Sequence, residues 1–135
     1  MKSVLLTTKC SARFAFRFIP AVVRALIPPG VIGCYVLTVG DCPVYVGRSD
    51  VCLQQRLAQH GLLGFATHFL WQPCRSPVSA FHLESASYHH LQQTTGLELL
   101  NAIHPDSPSG ADSHCPFCVT ADCDALAFAF ERQRI

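Results

Sequence analysis

Residues 33–60 limit what this chain can fold into more than any other part of the sequence. Residues 31–39 and 44–46 are rich in β-branched and aromatic side chains, and the connection between them contains Gly, Asp and Pro. This composition is typical of two strands joined by a tight turn. The sequence therefore predicts a β-hairpin that carries one tyrosine on each strand, Tyr35 and Tyr45.

A helix is predicted directly after this hairpin. Ser49 and Asp50 are residue types that cap helix N-termini, and residues 51–60 follow them. Arg56 and His60 are four positions apart, so on a helix their side chains share one face. The hairpin and helix thus bring two phenols, a guanidinium and an imidazole into one short stretch of chain.

The rest of the sequence predicts an α+β fold with a small three-stranded, mainly antiparallel sheet flanked by helices. Residues 78–83 alternate well enough for the third strand, which would deliver Glu84 at its end, and residues 85–95 are predicted to be helical. We expect three regions: a basic, apolar extension over residues 1–29, a domain over residues 30–104, and a Cys-containing loop and tail over residues 105–135, packed on the same domain.

Charge is unevenly distributed along the chain. The whole chain of 135 residues carries a formal net charge of +1, which is not typical of a strong nucleic-acid binder. Residues 1–29 hold a local charge of +5 with no acidic residue, and residues 105–135 hold −3. Attraction to a polyanion is therefore concentrated at the N-terminus.

The N-terminal extension also has an apolar period. Phe14, Phe18, Val22 and Leu26 recur every four positions, which predicts an amphipathic helix bent at Pro20. Such a segment could contact DNA, lie on a membrane surface, act as a leader, bind a protein partner or cover one face of the sheet. The sequence leaves these alternatives open.

Eight cysteines are many for this length, but their placement does not favour a disulfide framework. Cys34 and Cys52 lie among apolar residues, which is typical of buried free thiols in a cytosolic protein. No run approaches the roughly 20 apolar residues of a membrane span. We therefore expect a cytoplasmic protein without integral membrane association.

A CxxC motif near the C-terminus is a candidate zinc site. Cys115 and Cys118 have the spacing of zinc ligands, and His104 and Cys123 are near enough in sequence to complete four. Loop cysteines without metal and a redox pair are the alternatives, although redox CxxC motifs usually open a helix after a strand. His89 and His90 are predicted to be a helix-surface pair, since adjacent histidines do not face one site.

The order of motifs resembles the GIY-YIG nuclease family. Gly33-Cys34-Tyr35, a hairpin, Tyr45-Val46-Gly47, and then Arg56 and His60 one turn apart follow the pattern of that family. Glu84 and Asn101 match its later glutamate and asparagine, so the similarity covers roughly residues 30–118. The sequence departs from the pattern at Cys34, where the family usually has Ile, and in the one extra residue before Arg56.

The resemblance implies a metal-dependent endonuclease that hydrolyses DNA. It implies Mg²⁺ or Mn²⁺ held by Glu84, and a catalytic set of Tyr35, Tyr45, Arg56, His60 and Glu84. It places substrate binding at Gly47, Arg48, Ser49 and Asn101. It also implies that one tyrosine, for which Tyr35 is the better candidate, orients or deprotonates the attacking water.

The residue chemistry is compatible with this implication. A carboxylate is a preferred ligand of Mg²⁺, and a forked guanidinium suits a phosphoryl group. A phenol with a pKa near ~10 is a poor base at neutral pH unless cations lower it, and Arg48 and Arg56 are candidate sources. Each of these residues alone has an ordinary structural explanation. The alternative function is therefore a non-catalytic module of the same fold that binds nucleic acid or protein.

Overall fold

A computed structural model describes residues 14–94, 99–101, 105–108 and 115. The elements in these ranges follow one another as β1 (Phe16–Arg17), α1 (Pro20–Leu26), β2 (Gly33–Val39), β3 (Cys42–Ser49), α2 (Leu53–Ala58), β4 (His68–Pro73) and α3 (Pro77–Thr94). The α+β class is as predicted. Of the predicted N-terminal extension, residues 1–13 lie outside the described part, as does most of the predicted tail.

The sheet has four antiparallel strands in the order β1-β4-β2-β3, so the predicted number of three was wrong. The hairpin prediction is confirmed. β2 pairs with β3 from Gly33 opposite Ser49 to Val39 opposite Cys42, with one irregularity between Leu37 and Thr38. The turn is made at Gly40, whose φ of +63° is a conformation that glycine adopts easily.

The prediction of a strand over residues 78–83 was wrong, because this segment is the start of α3. The Ser76 hydroxyl accepts a hydrogen bond from the Ser79 backbone N–H at 3.1 Å, and Pro77 occupies the first turn, where a missing N–H costs nothing. Together they begin a helix of 18 residues that contains Glu84. The third strand is instead β4, which pairs with β2.

The described part of the extension belongs to the sheet. β1 pairs with β4, and the helix begins at Pro20 rather than continuing through it, so the prediction of a helix bent at Pro20 was wrong. Proline favours the first helical position because its fixed φ suits the helix. Phe18, Val23 and Ile27 are buried in the core, which ties residues 16–27 to the domain.

Apolar side chains form two clusters, and the side chains of β2 contribute alternately to one and to the other. Tyr35 and Leu37 belong to a cluster that includes residues of α1 and α2, whereas Val36 packs with Val46 and with Leu91 of α3. Successive strand residues point to opposite faces, so this division is what a central strand requires. None of the described helices is long and apolar enough to cross a membrane.

The predicted helix over residues 51–60 is shorter than expected. α2 spans Leu53–Ala58, and His60 follows it. The Ser49 hydroxyl accepts hydrogen bonds from the backbone N–H groups of Val51 and Cys52 at 3.3 and 2.9 Å, so Ser49 stabilises the turn before the helix. Cys52, not Ser49 or Asp50, occupies the N-cap position.

Gly33 lets β2 and β4 approach closely, and we expect Gly33→Ala to destabilise the protein. A Cβ at this position would overlap the backbone carbonyl oxygen of Gln72, which cannot move without disturbing the strand pairing. Overpacking of this kind typically costs about 1–3 kcal/mol. Urea unfolding measures the loss. Gly61→Ala is the matched control, since a Cβ there meets no atom within 4 Å, and an equal effect of both changes would contradict the prediction.

Candidate active site

An open cleft of about 650 Å³ lies where β3, α2 and α3 meet. Its walls come from segments far apart in the sequence. β3 contributes Tyr45 and Arg48, α2 contributes Arg56, and α3 contributes Glu84. The remaining lining residues are Ser49, Asp50, Val51, Cys52, Gln55, Gln59, Asn101, Pro105 and Asp106. The structure therefore brings a phenol, two guanidinium groups and a buried carboxylate to one cavity.

Arg48 joins two carboxylates in this cleft. Its Nη1 donates a hydrogen bond to Oε1 of Glu84 at 2.6 Å, and its Nε donates to Oδ1 of Asp50 at 2.7 Å. Its guanidinium carbon lies 5.3 Å from the centroid of the Phe81 ring. Charge-assisted hydrogen bonds are among the stronger ones in proteins, so Arg48 links β3, the following turn and α3.

Glu84 is the more buried of the two carboxylates. The residue is 7% exposed, and burial raises the pKa of its carboxyl above the usual range, while the hydrogen bond from Arg48 opposes this rise. The nearby charge of Asp50 adds to the rise. The ionised form of Glu84 is therefore stabilised mainly by Arg48.

The hydrogen bonds of His60 define which of its ring nitrogens carries the proton. Its Nδ1 accepts a hydrogen bond from the Leu62 backbone N–H at 3.0 Å, and its Nε2 lies 2.9 Å from the Tyr35 hydroxyl oxygen. Burial, and then the charge of Arg56, lower the pKa of His60, so the ring is neutral near pH 7. A neutral ring that accepts at Nδ1 carries its proton on Nε2, and His60 therefore donates to Tyr35.

Tyr35 lies behind the cleft wall rather than on it. The residue is 1% exposed, and burial raises the pKa of its phenol far above the ordinary value, although a hydrogen bond with Arg56 acts in the opposite direction. The phenol is therefore protonated at neutral pH. Tyr45 stacks on Tyr35 with ring centroids 6.2 Å apart and is itself part of the wall.

Gly47 makes room for this arrangement. It lies opposite Tyr35 in the β2–β3 pairing, and a Cβ at Gly47 would overlap the Tyr35 phenol. The absence of a side chain at Gly47 thus leaves the space that the Tyr35 ring occupies.

Asn101 lines the cleft from the segment that follows α3. Its Oδ1 accepts from the Val46 backbone N–H at 3.0 Å, and its Nδ2 donates to the Val46 carbonyl at 2.6 Å. The Leu100 backbone N–H also donates to the Val44 carbonyl at 2.6 Å. Asn101 therefore attaches residues 99–101 to β3, in addition to lining the cavity.

Sequence reasoning identified Asp50 only as a helix cap and did not identify Asp106, and both line the cleft. The position of Asp50 two residues after Arg48 was the available signal for its ion pair. Of the predicted zinc ligands, His104, Cys118 and Cys123 lie outside the described residues, and Cys115 is buried. The described residues include no group of three or more His, Cys, Asp or Glu side chains arranged to hold a metal ion.

Comparisons with protein-family models, with curated proteins and with solved structures found no match to this chain. Functional inference therefore depends on the motif order and on the geometry of the cleft.

The lowered pKa of His60 predicts a pH dependence of stability. Between the ordinary histidine pKa of about 6.5 and the lower folded value, the unfolded chain binds more protons than the folded one. His60 therefore makes the free energy of unfolding decrease as the pH falls below about 6.5.

We expect wild-type protein to lose more stability between pH 7.5 and 5.5 than His60→Gln, as measured by urea unfolding at both pH values. All other titrating groups are shared, so the difference between the two proteins isolates His60. An identical pH dependence in the two proteins would contradict the lowered pKa.

Proposed function

We propose that this chain is a metal-dependent endonuclease of GIY-YIG type that hydrolyses phosphodiester bonds in DNA. The observation that carries the proposal is the position of Tyr45, Arg56 and Glu84 on the walls of one cleft. These residues are separated by up to 39 positions in the sequence, and all three belong to the motif order that resembles the GIY-YIG family. Their side chains supply the groups that phosphodiester hydrolysis needs.

The chemistry of the cleft fits a hard divalent cation. Glu84 provides a carboxylate, and Mg²⁺ commonly takes one or two carboxylates together with water and substrate phosphate. Arg48 forms an ion pair with Glu84. A cation bound at this carboxylate would therefore provide part of the charge compensation that Arg48 provides in its absence. The bound ion would polarise the phosphate and stabilise the departing oxygen.

The two arginines would hold the phosphate of the substrate. Arg56 is on the cleft wall, and its guanidinium is close enough to the Tyr35 phenol for the two groups to affect each other's pKa. Arg48 is held by Asp50 and Glu84. A guanidinium whose position is already fixed stabilises developing charge without reorganising at the moment of reaction.

The two tyrosines receive different roles in this proposal. Tyr35 is buried and protonated, so its contribution is to accept the hydrogen bond of His60 and to support Tyr45 from behind the cleft wall. Tyr45 lies on the wall and is the phenol that can contact phosphate or the attacking water. This assignment differs from the expectation that Tyr35 acts on the water directly.

One observation favours a second candidate, a non-catalytic module that binds nucleic acid or protein. Arg48 already compensates the charge of Glu84, and a fold that has lost its metal would keep such a pair. DNA binding that weakens with salt, that does not change in Glu84→Gln and that is accompanied by no cleavage would support this alternative.

We expect Glu84→Gln to reduce the rate of cleavage strongly while preserving the fold. The wild-type protein should cut at least one DNA in a panel of duplex, branched and single-stranded substrates with Mg²⁺ or Mn²⁺. Loss of the carboxylate should reduce the rate by roughly 100-fold or more, as for other transition-state stabilising groups. Rates come from gel-resolved time courses, and circular dichroism checks folding.

Asp41→Asn is the matched control for the removal of one carboxylate. Asp41 is exposed in the hairpin turn and does not line the cleft, so its loss should leave the rate unchanged. Absence of wild-type cleavage of every substrate with both metals, or full activity of Glu84→Gln, would overturn the proposed nuclease activity.

A further inference from the structure

We propose that Gln55 and Gln59 read an adenine base beside the phosphate that Arg56 binds. Both glutamines line the cleft, and both are exposed. They are four positions apart, with Gln59 at the C-cap of α2, so their side chains extend from the same side of this helix. The inference rests on the proposed function, because it takes DNA as the ligand of the cleft.

The two sides of α2 have different surroundings. Leu53 and Leu57 are fully buried and belong to the core cluster. Gln55, Arg56 and Gln59 are on the cleft side of the same helix. The core contacts thus hold the helix in place, and three long polar side chains are left to contact a ligand.

The side-chain amides of Gln55 and Gln59 have no hydrogen-bond partner in the described part of the chain. By contrast, Gln54 of the same helix donates from its side chain to the Ile27 carbonyl at 2.9 Å. Asn101, another amide of the cleft, uses both of its polar atoms on the backbone of β3. Because each carboxamide has both donor and acceptor groups, the two glutamines can make paired hydrogen bonds to a ligand.

The charges in the cleft place the phosphate next to these amides. Arg48 is paired with Asp50 and Glu84, whereas Arg56 forms no ion pair with a described residue. Arg56 is therefore the cleft guanidinium whose charge is left for a phosphate. Gln55 directly precedes Arg56 in the sequence, so a phosphate bound there brings the adjoining nucleotide close to the amides.

The hydrogen-bonding groups of a carboxamide match adenine. In the major groove, adenine presents N7 as an acceptor beside the N6 amino donor, and one glutamine side chain can bond to both. Guanine presents two acceptors at the same edge, which suit arginine instead. A paired contact of this kind typically discriminates roughly 5- to 150-fold against a wrong base. The cleft should therefore prefer adenine at one position beside the bound phosphate.

Binding to homopolymer duplexes tests this preference apart from cleavage. Fluorescence anisotropy compares dA·dT with dG·dC duplexes of equal length, in EDTA and at low ionic strength, where phosphate contacts are strongest. We expect the wild-type protein to bind dA·dT at least about 5-fold more tightly. The double variant Gln55→Ala/Gln59→Ala should lose this preference and still bind both duplexes through Arg56.

Gln54→Ala is the matched control, since it removes an amide from the same helix that does not line the cleft. It should keep the wild-type preference, and circular dichroism checks the fold of every variant. Gln55→Glu and Gln59→Glu, made singly, give a readout that loss of structure would not produce. A carboxylate accepts from the cytosine N4 amino group, so at least one of them should shift the preference towards dG·dC.

Equal binding of the two duplexes by the wild type, or no binding, would overturn the inference. So would an unchanged preference in Gln55→Ala/Gln59→Ala or in both glutamate variants. These results are distinct from failure of the nuclease proposal. Cleavage of DNA without a base preference would overturn only this inference, whereas a glutamine-dependent preference without any cleavage would overturn only the nuclease activity.

Discussion

The ion pairs of Arg48 with Asp50 and Glu84 are the interaction on which the cleft depends. They connect the edge strand β3 to the turn that follows it and to the helix α3. A buried carboxylate without a partner is costly, and removing one member of a fully buried pair typically costs about 3–5 kcal/mol. Glu84 can therefore occupy its position in α3 because Arg48 extends from β3 to meet it. The same contact decides function, since a metal ion at Glu84 must share that carboxylate with Arg48 or displace it.

Around this contact, the protein uses buried groups to position exposed ones. His60 donates to Tyr35, and Tyr35 stacks on Tyr45, which is on the cleft wall. Gly47 leaves the space that the Tyr35 ring fills. A motif that looks like a set of equivalent catalytic residues in the sequence is thus divided in the structure between residues that face the cleft and residues that support them.

Local signals predicted the central part of the fold, and non-local pairing accounts for most of the errors. The β2–β3 hairpin could be predicted because its strands and turn are adjacent in sequence. β1 could not, since two residues that pair with β4 some fifty positions later leave no periodic pattern. Alternation over residues 78–83 predicts a strand, but Ser76 and Pro77, which sequence reasoning assigned to a loop, begin a helix there.

The candidate site was predictable to the extent that motif order identifies residue types. Motif order could not indicate that Asp50 shares Arg48 with Glu84, that Tyr35 is buried, or that Asn101 is bonded to the backbone of Val46. These properties arise from packing between distant segments. The contact of His89 with Cys115 is of the same kind, because the two residues are 26 positions apart and their neighbours in sequence give no sign of it.

Binding of Mn²⁺ at Glu84 is the most direct test of the account, because the proposed chemistry depends on that carboxylate holding a divalent ion. Electron paramagnetic resonance of free Mn²⁺ during titration with protein measures this binding apart from any cleavage, at a pH where Glu84 is ionised. Wild-type protein and Asp41→Asn should take up Mn²⁺, and Glu84→Gln should not. Equal uptake by all three proteins, or no uptake by the wild type, would contradict a metal-dependent site at Glu84.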